Sequence, residues 1–205
     1  MYIPKQFQIE DQSKLTAFIK TYSFGLLITS EDNIPTATHL PFVLDERENE
    51  LYLISHMAKA NSQWGQLNRN AKVLLIFSGP HAYISPTHYK TNENVPTWNY
   101  TAVHIYGTAK LLDDNNKKAQ VLESTIEAFE PSYLKQWQQL ANINRYQEKM
   151  MNGIVAFEIK VDRIEGKFKL SQNRLEEERN TIISRFKQSN HANEKELGDF
   201  MENFY

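Results

Sequence analysis

The chain has 205 residues, with 23 Lys plus Arg against 25 Asp plus Glu for a formal net charge of −2, 40% hydrophobic and 12% aromatic residues, and no cysteine. That length supports one large domain or a domain with an appendage, and the composition excludes a mainly disordered chain, disulfides, thiolate catalysis and thiolate zinc sites. The basic residues are scattered without a dense run, so no nucleic-acid-binding face is announced, and the opening MYIPKQFQIEDQ lacks an apolar signal segment, which makes the cytoplasm the expected location.

Asp11 is placed to cap a first helix in which Leu15, Phe18 and Ile19 form an i, i+3, i+4 stripe. Phe24 to Ser30 reads as a buried strand, and the polar turn Glu31, Asp32, Asn33 leads into a second strand from Pro35 to Val43. On that second strand Thr36, Thr38, Leu40 and Phe42 share one face, and Ala37, His39 and Pro41 the other. Pro41 cannot donate to a ladder, so the strand lies at an edge, is bulged, or ends there. Asp45 to Glu50 predicts a charged hairpin connection.

The stretch from Leu51 to Phe77 organises the chain. Leu51, Leu53 and Ser55 alternate with Tyr52, Ile54 and His56, while Val73 to Phe77 is solidly apolar, so both ends read as strands. Between them Ala60, Trp64 and Leu67 fall at helical spacing. The turn into that helix carries His56, Met57, Lys59, Asn61 and Ser62. A helix start offers unpaired N–H groups and partial positive charge, and Lys59 adds a full charge, so a phosphate is one occupant. The other reading is that Asn61 or Ser62 caps the helix and Lys59 is solvated.

Ser78, Gly79 and Pro80 predict a tight turn before a strand from Ala82 to Ser85. Pro86 to Pro96 is polar and aperiodic, a loop long enough for a lid or a subunit contact. Thr97 to Leu112 is extended, rich in aromatic and β-branched residues, with Gly107 as a bulge. Asp113 or Asp114 starts a helix burying Leu122, Ile126 and Phe129, and Pro131 restarts a second with Leu134, Trp137 and Ala141 aligned. Strand character returns at Gly153 to Lys160 and continues to Leu170 with a kink near Gly166. Ser171 is placed to cap a charged helix burying Leu175, Ile182 and Phe186. Asn193 with Glu196 predicts a capping box on a last helix carrying Leu197, Phe200, Met201 and Phe204. About seven strands with antiparallel connections, interrupted once and closed by helices, predict a mainly β, α+β fold: a β-barrel with helical additions. The expected division is a barrel over residues 1–170, with a helical insertion near 114–150, and a helical extension over 171–205 that packs on the barrel or on a partner subunit.

The six histidines, His39, His56, His81, His88, His104 and His191, form neither HxxxH nor HExxH, so no protein metal site is expected. There is no GxSxG, no GxGxxG and no Walker loop, which disfavours Ser-His-Asp hydrolysis and the common nucleotide folds. The remaining signal is aromatic density: Trp98 and Tyr100 share a strand face, Tyr106 follows, Tyr83 and Tyr89 precede, and Trp64 stands on the short helix. Such clusters form core or interface, or a wall for a flat conjugated ligand. Beside an anion-binding helix start, such a wall would suit flavin mononucleotide (FMN), its phosphate on Lys59 and backbone N–H groups.

Several short strings then coincide with one family. MYIPKQF, THLPF (Thr38 to Phe42), HMAKAN (His56 to Asn61) with Gln63-Trp64, GPHAYISP (Gly79 to Pro86), VPTWNY (Val95 to Tyr100) with VHIYG, and GKFKLSQNR (Gly166 to Arg174) resemble the PaiB family. Its members are described as FMN-binding negative transcriptional regulators, or protease synthase and sporulation regulators. The resemblance implies an antiparallel split β-barrel of the FMN-binding, pyridoxamine phosphate oxidase type, homodimeric, with the flavin at the dimer interface. It implies that Thr38, His39 and Leu40 edge the flavin and that the short helix start holds the phosphate, either through Asn61 and Ser62 at the oxidases' phosphate-binding positions or through Lys59 as the matching basic residue. Trp98, Asn99 and Tyr100 would line the pocket, and Lys169, Ser171 and Gln172 would reach it or brace the dimer. An FMN-dependent oxidoreductase with the Pro86 to Pro96 loop as lid, and a barrel binding haem through a histidine, are the alternatives. Direct DNA contact is not expected, because Arg174, Arg179, Arg185 and Lys187 are diluted by Glu176, Glu177 and Glu178.

Overall fold

A computed structural model of the chain describes residues 1–69, 71–89, 94–141 and 150–205. In chain order the strands are β1 (Gln8–Ile9), β2 (Phe24–Glu31), β3 (Ile34–Pro41), β4 (Val43–Arg47), β5 (Glu50–Ala58), β6 (Lys72–Ile84), β7 (Thr97–Leu112) and β8 (Ile154–Lys169). The helices are α1 (Gln12–Thr21), α2 (Gln63–Arg69), α3 (Asn115–Phe129), α4 (Pro131–Ala141), α5 (Glu176–Lys187) and α6 (Ala192–Phe204). The eight-stranded sheet runs β3-β2-β6-β7-β8-β5-β4, with β1 added on β8. Every pairing whose register is defined is antiparallel.

The chain forms two compact units, one of residues 1–18, 78–103 and 165–205, the other of residues 19–77 and 104–164. In the second unit the core is built from Leu27, Phe42, Leu53, Leu75, Phe77, Ile105, Phe157 and Ile159, all at most 1% exposed. Phe42 packs edge-on to Phe77 and Phe157, with ring centroids 5.7 and 6.4 Å apart. Burying each such ring stabilises the fold by about 2–3 kcal/mol. Ser55 Oγ donates to the Pro41 carbonyl at 2.7 Å, so the end of β3 is tied to β5 although the two lie far apart in the sheet order. Pro41 is the last residue of the terminal strand β3, where its missing N–H costs nothing.

In the first unit, Phe18 from α1, Phe168 from β8 and Phe200 from α6 stack in sequence, with centroids 5.0 Å and 5.4 Å apart. Leu15, Leu170, Ile182, Phe186, Leu197 and Met201 complete this core. The amphipathic stripes of α1, α5 and α6 are therefore spent on one another and on the end of β8.

Local chemistry misplaces several boundaries. Ser78 to Pro80 is not a turn: β6 runs unbroken through it. Gly79 belongs there because a Cβ would meet Thr101 Oγ1 at 2.5 Å and the Phe18 ring at 2.7 Å. The charged hairpin connection shrinks to Glu48 and Asn49, whose φ values of 48° and 68° make a two-residue turn of the kind that matches strand twist. Asp32 and Asn33 repeat that solution between β2 and β3. Ala60 lies outside the seven-residue α2, which begins at Gln63. Ser171 does not cap a helix; α5 starts at Glu176, after Leu175, which is 73% exposed and not buried. Phe129 is also exposed, at 49%. Asn193 lies within α6, whose N-cap residue is His191, because Ser189 holds that end by accepting the His191 N–H and donating to Glu194. Part of the Pro86 to Pro96 loop and part of the helical insertion lie outside the described residues.

Candidate functional site

The turn joining β5 to α2 collects most of the residues expected to hold a phosphate. Lys59 follows directly on β5 and its backbone N–H donates to the Gly153 carbonyl at 2.8 Å. The Asn61 N–H returns to the Ala58 carbonyl at 2.9 Å, and the Gly65 N–H to Ser62 at 3.0 Å. Trp64 folds back so that Nε1 donates to the Lys59 carbonyl at 3.0 Å. These bonds fix the turn and leave the N–H groups of Ala60 and Ser62 without acceptors among the described residues. The Lys59 side chain is exposed beside them.

Asn61 is spent inside the turn, which bears out its reading as the helix cap. Its Oδ1 accepts the Gln63 N–H at 3.0 Å, capping α2, and its Nδ2 donates to Thr38 Oγ1 on β3 at 3.0 Å. The side chain is thus a brace, and the groups left to meet an anion are the Lys59 ammonium and the Ala60 and Ser62 N–H donors. Because α2 has only seven residues, its macrodipole adds little, and the local N–H groups and Lys59 carry the electrostatics.

Along β3, Thr38 is half-buried, Leu40 is buried, and His39 is exposed with its ring stacked 6.1 Å from the exposed Phe24. On β5, Met57 is buried in the core, whereas His56 is half-buried and its Nδ1 has no partner among the described residues. Burial pushes the His56 imidazole below its ordinary pKa, so it is neutral near pH 7.

The residues that sequence reasoning missed lie under α2. Gln63 is fully buried, and its Nε2 donates to the Leu27 carbonyl, to Thr29 Oγ1 and to the Thr36 carbonyl at 3.3, 3.0 and 3.1 Å. Thr29 donates onward to Gln66 Oε1, and Gln66 Nε2 donates to Thr36 Oγ1 at 3.2 Å. This network pins the start of α2 to β2 and β3, while Gln63 Oε1 stays buried without a donor. The only sequence signal for it was Gln63 in the HMAKAN-x-QW string, which periodicity alone does not single out. A phosphate fits the turn itself, which is cationic and offers free N–H donors, whereas the orphaned Gln63 Oε1 and His56 Nδ1 suit donors, such as hydroxyl or ring N–H groups, elsewhere on such a ligand.

The remaining expected site residues fall in the other unit. Trp98 is 53% exposed, its ring 6.0 Å from Tyr83 and 6.3 Å from His81. Tyr100 is half-buried on the same strand face, with Lys167 Nζ 5.1 Å from its ring. Asn99 points to the opposite face and is fully buried, its Nδ2 donating to Ser171 Oγ at 2.9 Å and approaching Met201 Sδ at 3.8 Å. Ser171 holds φ at 69° to make this contact. Gln172 closes the end of β8 with both ends of its amide, donating to the Phe168 carbonyl at 2.5 Å and accepting the Leu170 N–H at 2.8 Å. Lys169 donates to Thr97 Oγ1, and burial together with nearby Lys167 lowers its pKa. The KLSQ string is therefore committed to internal bonds that fasten α6 to the strands.

Among the described residues no group of His, Asp and Glu could hold a metal ion, and no helix is long and apolar enough to cross a membrane. Residues 1–163 match the sequence family described as "Putative FMN-binding domain". The protein "Protease synthase and sporulation protein PAI 2" of Bacillus subtilis strain 168 is 38% identical over 204 residues, covering 98% of this chain and 97% of the relative. Among solved structures, the flavocytochrome Anf3 of Azotobacter vinelandii superposes with a TM-score of 0.63 at 17% identity, covering 86% of this chain and 77% of that one. An FAD- and haem-binding protein of Mycobacterium smegmatis gives 0.60 at 15% identity, covering 79% and 73%. These two likenesses bear on the fold alone, and they agree with an antiparallel, mainly β arrangement with added helices.

Proposed function

The chain belongs to the PaiB family of FMN-binding split-barrel proteins, and on that footing we propose that it binds FMN through the β5–α2 turn and acts as a negative transcriptional regulator. The observation that carries this reading is the state of that turn. Asn61 locks it against Thr38, while the Lys59 ammonium and the N–H groups of Ala60 and Ser62 stand uncommitted. Lys59 would supply the charge opposite the phosphate, and Thr38, His39 and Leu40 the strand edge beside the ring. Bound FMN supplies a redox-active ring and a visible absorption band; what the protein adds is orientation and a water-poor edge.

The regulatory part of the proposal runs through a partner or a metabolite and not through direct contact with DNA, because the basic residues are scattered along the sequence without a dense run. A homodimer is the proposed assembly. It is supported by the exposed aromatic cluster of Trp98, Tyr83 and His81, which is costly to leave in water. Adding FMN to the apoprotein tests the central claim: a shifted absorption band and quenched flavin fluorescence with saturation in the micromolar range are expected, and unchanged spectra overturn it. Haem held through a histidine is the competing reading, favoured by the neutral His56 with one ring nitrogen unpartnered. A Soret band in the purified protein would select it.

A further inference from the structure

A cavity of about 570 Å³ lies within the unit of residues 19–77 and 104–164, beneath α3. A small apolar base lies at its bottom, where Ile54, Leu112 and Val121, each at most 7% exposed, join Ala156 in one buried cluster. Its rim is charged. Arg47 is saturated by two carboxylates, with Nε 2.6 Å from Asp45 and Nη1 2.8 Å from Glu158. Lys110 Nζ stands 3.9 Å from Glu158, too far for a hydrogen bond. Lys117, on the first turn of α3, has no partner for its ammonium among the described residues.

Three cations thus face two carboxylates, and the one surplus charge sits on Lys117, Lys110 being only loosely paired with Glu158. The groove combines a small apolar base, one surplus positive charge at its mouth and a volume in the range of about 300–1,000 Å³ typical of small-molecule sites. We propose that it binds a small organic acid, the carboxylate between Lys110 and Lys117 and the hydrocarbon part over Ile54, Leu112 and Val121. Gln120 and Ser124 of α3 offer hydrogen bonds beside the carboxylate.

The position also provides a route to the turn that follows β5. Ile54 and Glu158 are paired across β5 and β8, and His56 and Ala156 are paired one repeat further along the same strands. An occupant pressing on Ile54 and Glu158 therefore acts on the strand that leads to Lys59. In that respect the inference extends the regulatory reading, but binding itself does not depend on it.

The test is calorimetric titration of the full chain, without added flavin, using hexanoate as probe and hexanol as its uncharged control. Saturable one-site binding of hexanoate is expected, with hexanol weaker by about tenfold. Lys117→Glu should weaken hexanoate on the order of tenfold, and Ser124→Trp, which fills the cavity, should abolish it. Gln120→Trp, at an exposed position on the mouth, repeats the blockade if Ser124→Trp unfolds. No saturable heat, equal binding of hexanol, or wild-type affinity in both Lys117→Glu and a blocked variant overturns the proposal. Loss of FMN binding with hexanoate binding intact would strike the flavin reading alone, and the reverse would strike this one alone.

Discussion

Asn61 and Thr38 are joined by a single hydrogen bond of 3.0 Å between residues 23 apart in sequence, and it ties the terminal strand of the sheet to the turn that would receive a phosphate. Thr38→Val keeps the shape and removes the acceptor. The flavin dissociation constant should rise about tenfold, as for one hydrogen bond of about 1 kcal/mol and a looser turn, and the urea midpoint should fall by a comparable amount. Asn61→Ala should add a stability loss of about 1 kcal/mol because the cap on α2 goes too. Parallel flavin titrations and urea melts separate the two effects.

Ser171 occupies left-handed backbone, φ 69°, to reach Asn99. Ser171→Ala keeps the strain and leaves the buried Asn99 amide short of a partner, a loss of about 2 kcal/mol. Ser171→Gly loses the same contact but relieves about 1 kcal/mol of backbone strain. Glycine should therefore melt above alanine. The reverse order in thermal denaturation would mean that residue 171 carries no left-handed strain in the folded chain.

Half-buried imidazoles predict an acid-sensitive fold. Burial lowers the pKa of His56, and burial and then Arg185 lower that of His88, with Glu194 opposing. His88 also packs edge-on against Phe186, centroids 5.6 Å apart. A histidine that is less basic in the folded chain takes up its proton preferentially on unfolding. Its contribution is full above the unfolded pKa of about 6.5 and is lost as pH falls below it toward the depressed folded value. Urea midpoints measured from about pH 7.5 down to about pH 5 should fall, and His88→Gln should make that limb shallower. A flat profile would contradict the burial argument.

Gly107 sits in an unbroken β7, not at a left-handed position, and a Cβ there would strike Ile159 Cγ2 at 2.5 Å and the Lys160 carbonyl oxygen at 2.6 Å. Since one obstacle is backbone, relaxation is expensive. Gly107→Ala should cost about 3 kcal/mol or more, visible as a large drop in melting temperature or as insoluble expression.

Trp98 tests the assembly. Trp98→Glu places a charge in the cluster with Tyr83 and His81, all three of which are exposed. Sedimentation velocity should show the wild-type chain as a dimer and the variant shifted to monomer, with far-UV circular dichroism unchanged. A wild-type monomer would remove the dimer from the proposed function.

Much of the fold was legible because period and burial agree. Leu15, Phe18 and Ile19 form the buried stripe of α1, and Leu53, Phe77 and Phe157 lie in strands where their runs predicted them. The misses share a cause: turn and cap chemistry was read locally where tertiary contacts decide. Ser-Gly-Pro at 78–80 has the composition of a turn, yet Gly79 is there to admit the Phe18 ring. Ser171 has the composition of a cap, yet its hydroxyl answers Asn99, 72 positions away. At the candidate site the sequence located Lys59, Asn61 and Thr38, but not that Asn61 braces Thr38, nor the Gln63–Thr29–Gln66 network, because a buried glutamine leaves no periodic trace.

The short pairing of Gln8 and Ile9 with Lys167 and Gly166 bears on how the protein can be cut down for study. The family match stops at residue 163, an obvious place to trim. Trimming there would strip the amino-terminal strand of its ladder partner and delete the Phe168 and Phe200 rings against which Phe18 packs. Fragments ending at the homology border should therefore be sticky and poorly soluble, and flavin affinities measured on them would describe a damaged molecule.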